Sequence, residues 1–287
     1  MTVAQVCAVV QARNEEASIA NVISQLWRAG VAYSVIVVNG SRDKTAQIAQ
    51  RVARDGTGLP AARMRCTVLT ANIPLGHDVG KAVGVYAARR LRWPVHIYVF
   101  VDGDWNGGFG PRLAQWLDRA VEEDSDIALT QWAPQTQVSR WERPDWEIWQ
   151  DVFSLHWPNL LGTAASQAPM AVRGTVFDRI SPYWLHQPSK WLAYALMLQP
   201  QLKVTASPEI QAALVGNPSR SATHQHLMLE TLLGDAVEAA RITVGRQGGR
   251  WWQGRERIGY HRYRRTDVLR QYMAQSSSVF GVAIGNL

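Results

Sequence analysis

Cysteine is nearly absent from the 287 residues: only Cys7 and Cys66 occur, each inside an apolar run, which excludes a disulfide scaffold and suits a reducing compartment. Long apolar runs are missing as well. No stretch reaches the roughly 18 to 20 residues that a bilayer-spanning helix needs, and the start has no basic segment leading into an apolar one. A soluble, cytoplasmic protein is the expectation. The first strand-like run is not followed by a Gly-x-Gly-x-x-Gly turn, which argues against a dinucleotide-binding enzyme. A P-loop is disfavoured too, because the stretch from Gly76 to Ala82 is one residue short and lacks the Ser or Thr after Lys81. Internal repeats and low-complexity tracts are absent.

What is present is an ordinary globular composition, 47% apolar and 18% charged, which excludes a disordered or coiled-coil chain. The formal charge of +7 is unevenly placed. Beyond Gly245 the sequence holds Arg246, Arg250, Arg255, Arg257, Arg262, Arg264, Arg265 and Arg270 against Glu256 and Asp267, a net +6 with no lysine. Such a segment can meet an anionic substrate, anionic lipid or nucleic acid. Trp251, Trp252, Tyr260 and Tyr263 lie among these charges, as interfacial or single-strand binding would use. No recognised nucleic-acid-binding module accompanies them, so nucleic acid is not an expected partner. Of thirteen tryptophans, Trp132, Trp141, Trp146, Trp149 and Trp157 crowd one stretch, where aromatic residues usually serve a core or a subunit interface. A homodimer is therefore an open expectation.

The first half alternates apolar strand-like runs (3–12, 33–38, 66–69, 95–101, 127–131) with helical patterns (17–29, 43–54, 79–91, 111–121). Continuous apolar strands separated by helices predict an α/β fold with a mostly parallel central sheet covered on both faces, and ligands bind such sheets beyond the strands' carboxyl ends. The second half predicts helices over 144–160 and 189–198, short strands over 170–172, 202–204 and 209–215, a break at 216–218, and a long helix to residue 240. One domain over 1–241 is expected, in two parts, 1–131 and 132–241. Residues 242–287 form a basic, aromatic extension.

Three strand ends carry polar clusters. Asp102 and Asp104 follow the fourth run, and their i, i+2 spacing lets both carboxylates converge on one ligand, such as Mg²⁺ or Mn²⁺ holding a diphosphate. A polar turn reads equally well. The other two clusters are Gln11 to Glu16 and Asn39 to Asp43, where Asn14 or Ser41 can also cap the following helix.

Together these residues resemble the family 2-like nucleotide-sugar glycosyltransferases of the GT-A fold. Gln11-Ala12-Arg13-Asn14-Glu15-Glu16 is similar to the family's PARNEE element, Val37 to Thr45 to VVDDGSxDxT, Gly80-Lys81 to the GKG loop, Asp102-Gly103-Asp104 to the Asp-x-Asp motif, and Gln167 to Arg173 to the acceptor-side strand. The resemblance implies a sugar-nucleotide site of Gln11, Ala12, Arg13, Glu15, Asn39, Ser41, Lys81, Asp102, Gly103 and Asp104, with Glu15 and Asn39 near the nucleoside and Lys81 near the phosphates. Val38 and Asn39 replace the usual acidic pair, so uridine and guanosine both stay open. The stretch from Gly216 to His226 resembles the loop of the retaining glucosyl-3-phosphoglycerate synthases and their relatives. That likeness makes His224, with His226 second, the metal's partner to Asp104.

The expected activity is thus metal-dependent hexosyl transfer from a UDP- or GDP-sugar, with Asp104, Lys81 and His224 as catalytic residues. No Glu-Asp pair offers a base, since Glu123-Asp124 reads as a solvated helix end, and retention of configuration is expected. Trp105, Gln167, Arg173 and Arg220 are the candidate acceptor contacts, Lys190 being a further cation; the sequence leaves the acceptor's identity open, an anionic one being compatible with these cations. The alternatives are a non-catalytic sugar-nucleotide-binding protein and a surface-binding protein that uses the basic segment on a membrane or nucleic acid.

Overall fold

The structure is a computed structural model that describes residues 5–55, 65–131, 143–198, 200–208, 221–274 and 280–286. Its first half runs β1 (Val6–Ala12), α1 (Ile19–Arg28), β2 (Tyr33–Asn39), α2 (Thr45–Asp55), β3 (Arg65–Ala71), α3 (Val79–Arg90), β4 (Ile97–Asp102), α4 (Gly110–Glu122) and β5 (Ile127–Gln131). The second half adds α5 (Pro144–His156), β6 (Met170–Arg173), α6 (Pro188–Met197), β7 (Val204–Pro208), α7 (Ala222–Thr243), the hairpin strands β8 (Trp251–Trp252) and β9 (Arg255–Glu256), α8 (Thr266–Met273) and β10 (Phe280–Asn286). The expected strand over 209–215 and the break after it lie outside the described residues.

Eight strands form one sheet in the order β10-β3-β2-β1-β4-β6-β5-β7. The β3, β2, β1 and β4 strands run parallel, as do β5 and β7, while β6 is antiparallel to both neighbours and β10 antiparallel to β3. The continuous apolar strands have a simple origin. Side chains alternate across the sheet, so Cys7, Val9, Val35, Val37 and Phe100 enter one core while Ala8, Val10, Ile36, Val38 and Val101 enter the other. On the second face pack the apolar stripes of α1 (Ile19, Val22, Ile23, Leu26) and α4 (Leu113, Trp116, Leu117). The first face is covered by α3, α5, α6, α7 and α8, and there Trp149 and Trp191 are fully buried. The tryptophan-rich stretch, as far as it is described, therefore belongs to the core. Cys7 and Cys66 are buried free thiols. Among the described residues no helix is long and apolar enough to cross a membrane.

The arginine-rich segment is woven into this body. Residues 250–259 run back along α7, where the buried Arg250 and Arg264 share the Asp235 carboxylate and Arg257 pairs with Glu230 at 2.8 Å. Arg90 of α3 donates to the Tyr272 carbonyl and stacks on that ring, 4.3 Å from its centroid. The strand β10 then covers the edge of β3. The sequence pattern placed this segment outside the catalytic motifs, but five of its eight arginines, Arg250, Arg255, Arg257, Arg264 and Arg265, are ion-paired within the chain.

Candidate active site

Because β1, β2 and β4 run in parallel, their carboxyl ends meet on one rim, and the polar clusters read from the sequence lie there. The loops after β1 and β2 are stitched together. The Asn14 amide donates to Ser41 Oγ (3.0 Å), the Arg42 amide to Asn14 Oδ1 (2.9 Å), the Glu15 amide to Thr45 Oγ1 (2.8 Å) and the Glu16 amide to Asp43 Oδ2 (3.1 Å). Ser41 thus holds the neighbouring loop, and Asp43 is the residue that caps α2, through the Thr45 amide. Gln11 has a similar duty: its Oε1 accepts from the Gly80 amide at 2.7 Å, fixing the start of α3 and with it Lys81. Asn39 clamps the loop before α3, donating to the Gly76 carbonyl (2.9 Å) and accepting from the Leu75 amide (2.5 Å).

Above this rim opens a cleft of about 1000 Å³. Gln11, Arg13, Glu15, Asn39, Lys81, Asp102, Gly103, Asp104 and His224 all line it. Gly103 sits so close to β1 that a Cβ would lie 2.7 Å from that of Ala12, which explains a glycine between the two aspartates. Ala12 itself is buried behind it. His224, in the first turn of α7, has Nδ1 2.8 Å from the Tyr260 hydroxyl.

The other candidates lie elsewhere. Trp105, next to Asp104, leaves the turn that follows β4 and enters the core, where it packs edge-on against Phe109. Arg173 ends the reversed strand β6, so it reaches the opposite rim, where it pairs with Asp124 (2.5 Å) and borders a separate cavity of about 740 Å³. Gln167 is buried and accepts from the Ala164 amide without lining the cleft. Lys190 pairs with Glu238 at 2.9 Å. His226 is exposed and outside the lining, and Arg220 lies outside the described residues.

Sequence reasoning missed Asp78, His77, Ser189 and the lining drawn from the far end of the chain, Tyr260, Arg262, Tyr263 and Arg265. The alternation of Tyr and Arg over 260–265 was the available signal. Asp78 anchors a buried ionic chain: its carboxylate meets Lys81 Nζ at 2.8 Å, His77 Nε2 at 2.9 Å and Arg264 at 3.7 Å, and Arg264 passes on to Asp235. Burial alone would raise the Asp78 carboxyl, but His77, Lys81 and Arg264 outweigh it and hold the group far below the carboxylate range. Lys81 is driven down by burial and carried above its ordinary value by Asp78 and Asp102, so it stays cationic.

Asp102 goes the other way. Burial, with Asp104 and Asp78 nearby, pushes its carboxyl up despite Lys81. A folded-state value above the unfolded one means that ionised Asp102 costs stability at neutral pH and none once the pH falls below the unfolded value, about 3.9. Asp102→Asn is accordingly expected to melt higher than the parent at pH 7, with the gain shrinking as the pH falls toward 4. Thermal melts across that range check it, and a lower melting temperature at pH 7 would contradict it.

Among the described residues no three His, Cys, Asp or Glu side chains converge closely enough to hold a metal ion by themselves. Magnesium-like ions are usually held by one or two carboxylates together with substrate phosphates. Asp104 and His224 both line the cleft and bring a carboxylate and an imidazole to it, donor types for an ion shared with a diphosphate and not for a protein-only cage.

No protein-family model matches the sequence, and no curated protein resembles it closely enough to be matched. Solved structures do match. The glucosyl-3-phosphoglycerate synthase of Mycobacterium tuberculosis in complex with uridine diphosphate aligns over 81% of this chain and 80% of its own, at a TM-score of 0.51 and 16% identity. A mannosyltransferase of Pyrobaculum calidifontis in complex with GDP-Man and Mn²⁺ aligns over 95% of this chain and 72% of its own, at 0.55 and 14%. The shared property is the fold, that of the GT-A nucleotide-sugar glycosyltransferases.

Proposed function

We propose that the protein is a glycosyltransferase that moves a hexose from a UDP- or GDP-sugar to an anionic acceptor with retention of configuration, assisted by Mg²⁺ or Mn²⁺. One observation supports this above the rest: a single cleft gathers Gln11, Arg13, Glu15, Asn39, Lys81, Asp102, Asp104 and His224 at the carboxyl ends of parallel strands. The divalent ion, held by Asp104 and His224, would supply positive charge to the diphosphate leaving group. Lys81 adds a second, permanent charge at that rim. Its two carboxylate neighbours keep it protonated and fix its direction, so no reorganisation is needed as the glycosidic bond breaks.

Two cleft carboxylates on the acceptor side of the nucleotide rim, Asp78 before α3 and Asp235 of α7, bear on the stereochemistry. An inverting reaction needs a base that removes the acceptor proton, yet Asp78 and Asp235 are both engaged by cations that depress their proton affinity. The pair Glu123-Asp124 is no substitute, because Asp124 sits with Arg173 at the opposite rim. Arg262 and Arg265, beside Tyr260 and Tyr263, give that part of the cleft a lining suited to an anionic acceptor.

The test is a thermal-shift series with UDP, GDP and their hexose conjugates, with and without Mn²⁺. One nucleotide is expected to stabilise, more so with the ion, by about 2.7 kcal/mol at a hundredfold excess over Kd. That corresponds to roughly 5–10 °C in a chain of this size. Absence of any shift with either nucleotide in the presence of Mn²⁺ would sink the reading.

A further inference from the structure

We infer that the β8–β9 hairpin is a membrane-docking device that enters an anionic bilayer tip first. All six of its residues, Trp251 to Glu256, are exposed, with Trp251 63% and Trp252 37% accessible. Two neighbouring indoles left in water are an unusual expenditure of apolar surface. The turn residues Gln253 and Gly254 both have positive φ (50° and 77°), the signature of a tight type I′ hairpin, and a Cβ on Gly254 would meet nothing within 4 Å. The tip therefore stands clear of the body.

Its base does not. The Arg257 amide donates to the Arg250 carbonyl (2.9 Å), Arg250 Nε returns a bond to the Arg257 carbonyl (2.7 Å), and the two buried guanidiniums are fastened to Asp235 and Glu230 of α7. A rigidly held projection loses little freedom on binding.

The placement of the indoles decides between occupants. Adjacent strand residues point to opposite faces, so Trp251 and Trp252 flank the hairpin on its two sides. A second copy of the chain, or a nucleic-acid base, would cover one side only and leave one indole wet. Six residues also fall well short of the roughly 800 Å² per partner of a stable protein interface. A bilayer entered tip first receives both indoles, at the depth where tryptophan is favoured. Over residues 246–262, Arg246, Arg255 and Arg262 are exposed against Glu256, and although Arg255 also reaches Glu230 at 2.9 Å, the excess positive charge selects anionic headgroups. Tyr260, Arg262 and Tyr263 follow the hairpin closely and line the cleft, so docking brings the cleft's far wall to the surface.

The test is flotation of the full chain with vesicles of phosphatidylcholine alone or mixed with phosphatidylglycerol, comparing the parent with the double variant Trp251→Ala/Trp252→Ala. Binding to the mixed vesicles is expected, weakened by salt. The double variant should lose about a hundredfold in affinity, near tenfold per indole, while its melting temperature and its thermal shift with nucleotide stay those of the parent. The last two readouts keep this result separate from the fate of the sugar-transfer proposal. No vesicle binding by the parent, or equal binding by the variant, overturns the inference. So does retention on single-stranded DNA, or a dimer broken by the variant, in the absence of vesicle binding.

Discussion

Asp235→Ala is expected to lower the melting temperature by about 10 °C or more. This buried carboxylate is the meeting point of two buried guanidiniums: Arg264 approaches it through two bonds, at 2.8 and 2.5 Å, and Arg250 through a third. Removing it leaves both cations without their main counter-charge in the interior. Breaking a buried pair in this way costs about 3–5 kcal/mol, a large share of the roughly 5–15 kcal/mol that holds a domain together. At roughly 2–4 °C per kcal/mol the shift follows. Burial opposes ionisation of Asp235, but the two arginines outweigh it and hold the carboxyl below its ordinary range. The stability it contributes is thus complete above the unfolded value near 3.9 and is lost as the pH falls through the lower folded one. The gap between parent and Asp235→Ala should therefore be widest near neutrality and close in strong acid. Melts followed by circular dichroism at pH 7 and pH 3 measure both parts; a pH 7 difference under about 2 °C would refute the structural role.

That network also shows what the sequence could and could not reveal. Parallel strands were legible because burial on both faces makes an uninterrupted apolar run, and the rim cluster was legible because Gln11, Asn39 and Asp102 end such runs. Charge was misread. Arg250, Arg257 and Arg264 look like a solvated basic surface, since their partners Glu230, Asp235 and Glu238 belong to a helix whose packing no local pattern discloses. Strand direction was equally hidden. The four residues of β6 carry no mark of their reversal, and that reversal sends Arg173 to the wrong rim for a ligand contact. Trp105 fell to a simpler error: proximity to Asp104 in sequence suggested the cleft, whereas the turn after β4 carries the indole into the core beside Phe109. The edge strand β10 could not be found because Gly281 and Gly285 dilute its apolar signal.

Asp104→Ala is expected to reduce metal-dependent donor binding and transfer by about a thousandfold while leaving the melting temperature within about 2 °C of the parent. The two halves of this prediction come from different observations. Asp104 lies in the turn beyond β4, half-buried and outside both hydrophobic cores, so its loss opens no cavity. The residue lines the same cleft as Lys81 and His224, where under the proposed function a cation shared with a diphosphate would contribute several kcal/mol to stabilising the departing charge. Asp102 supplies the contrast. It sits one step deeper, with a raised proton affinity, and its amide variant should gain stability, so a fold that tolerates both substitutions but binds nucleotide with neither would mark the pair as kept for the ligand at a cost in stability. Titration of each variant with nucleotide, with and without Mn²⁺, makes the distinction. Asp104→Ala that responds to Mn²⁺ as the parent does would remove this residue from the metal site and leave His224 without its partner there.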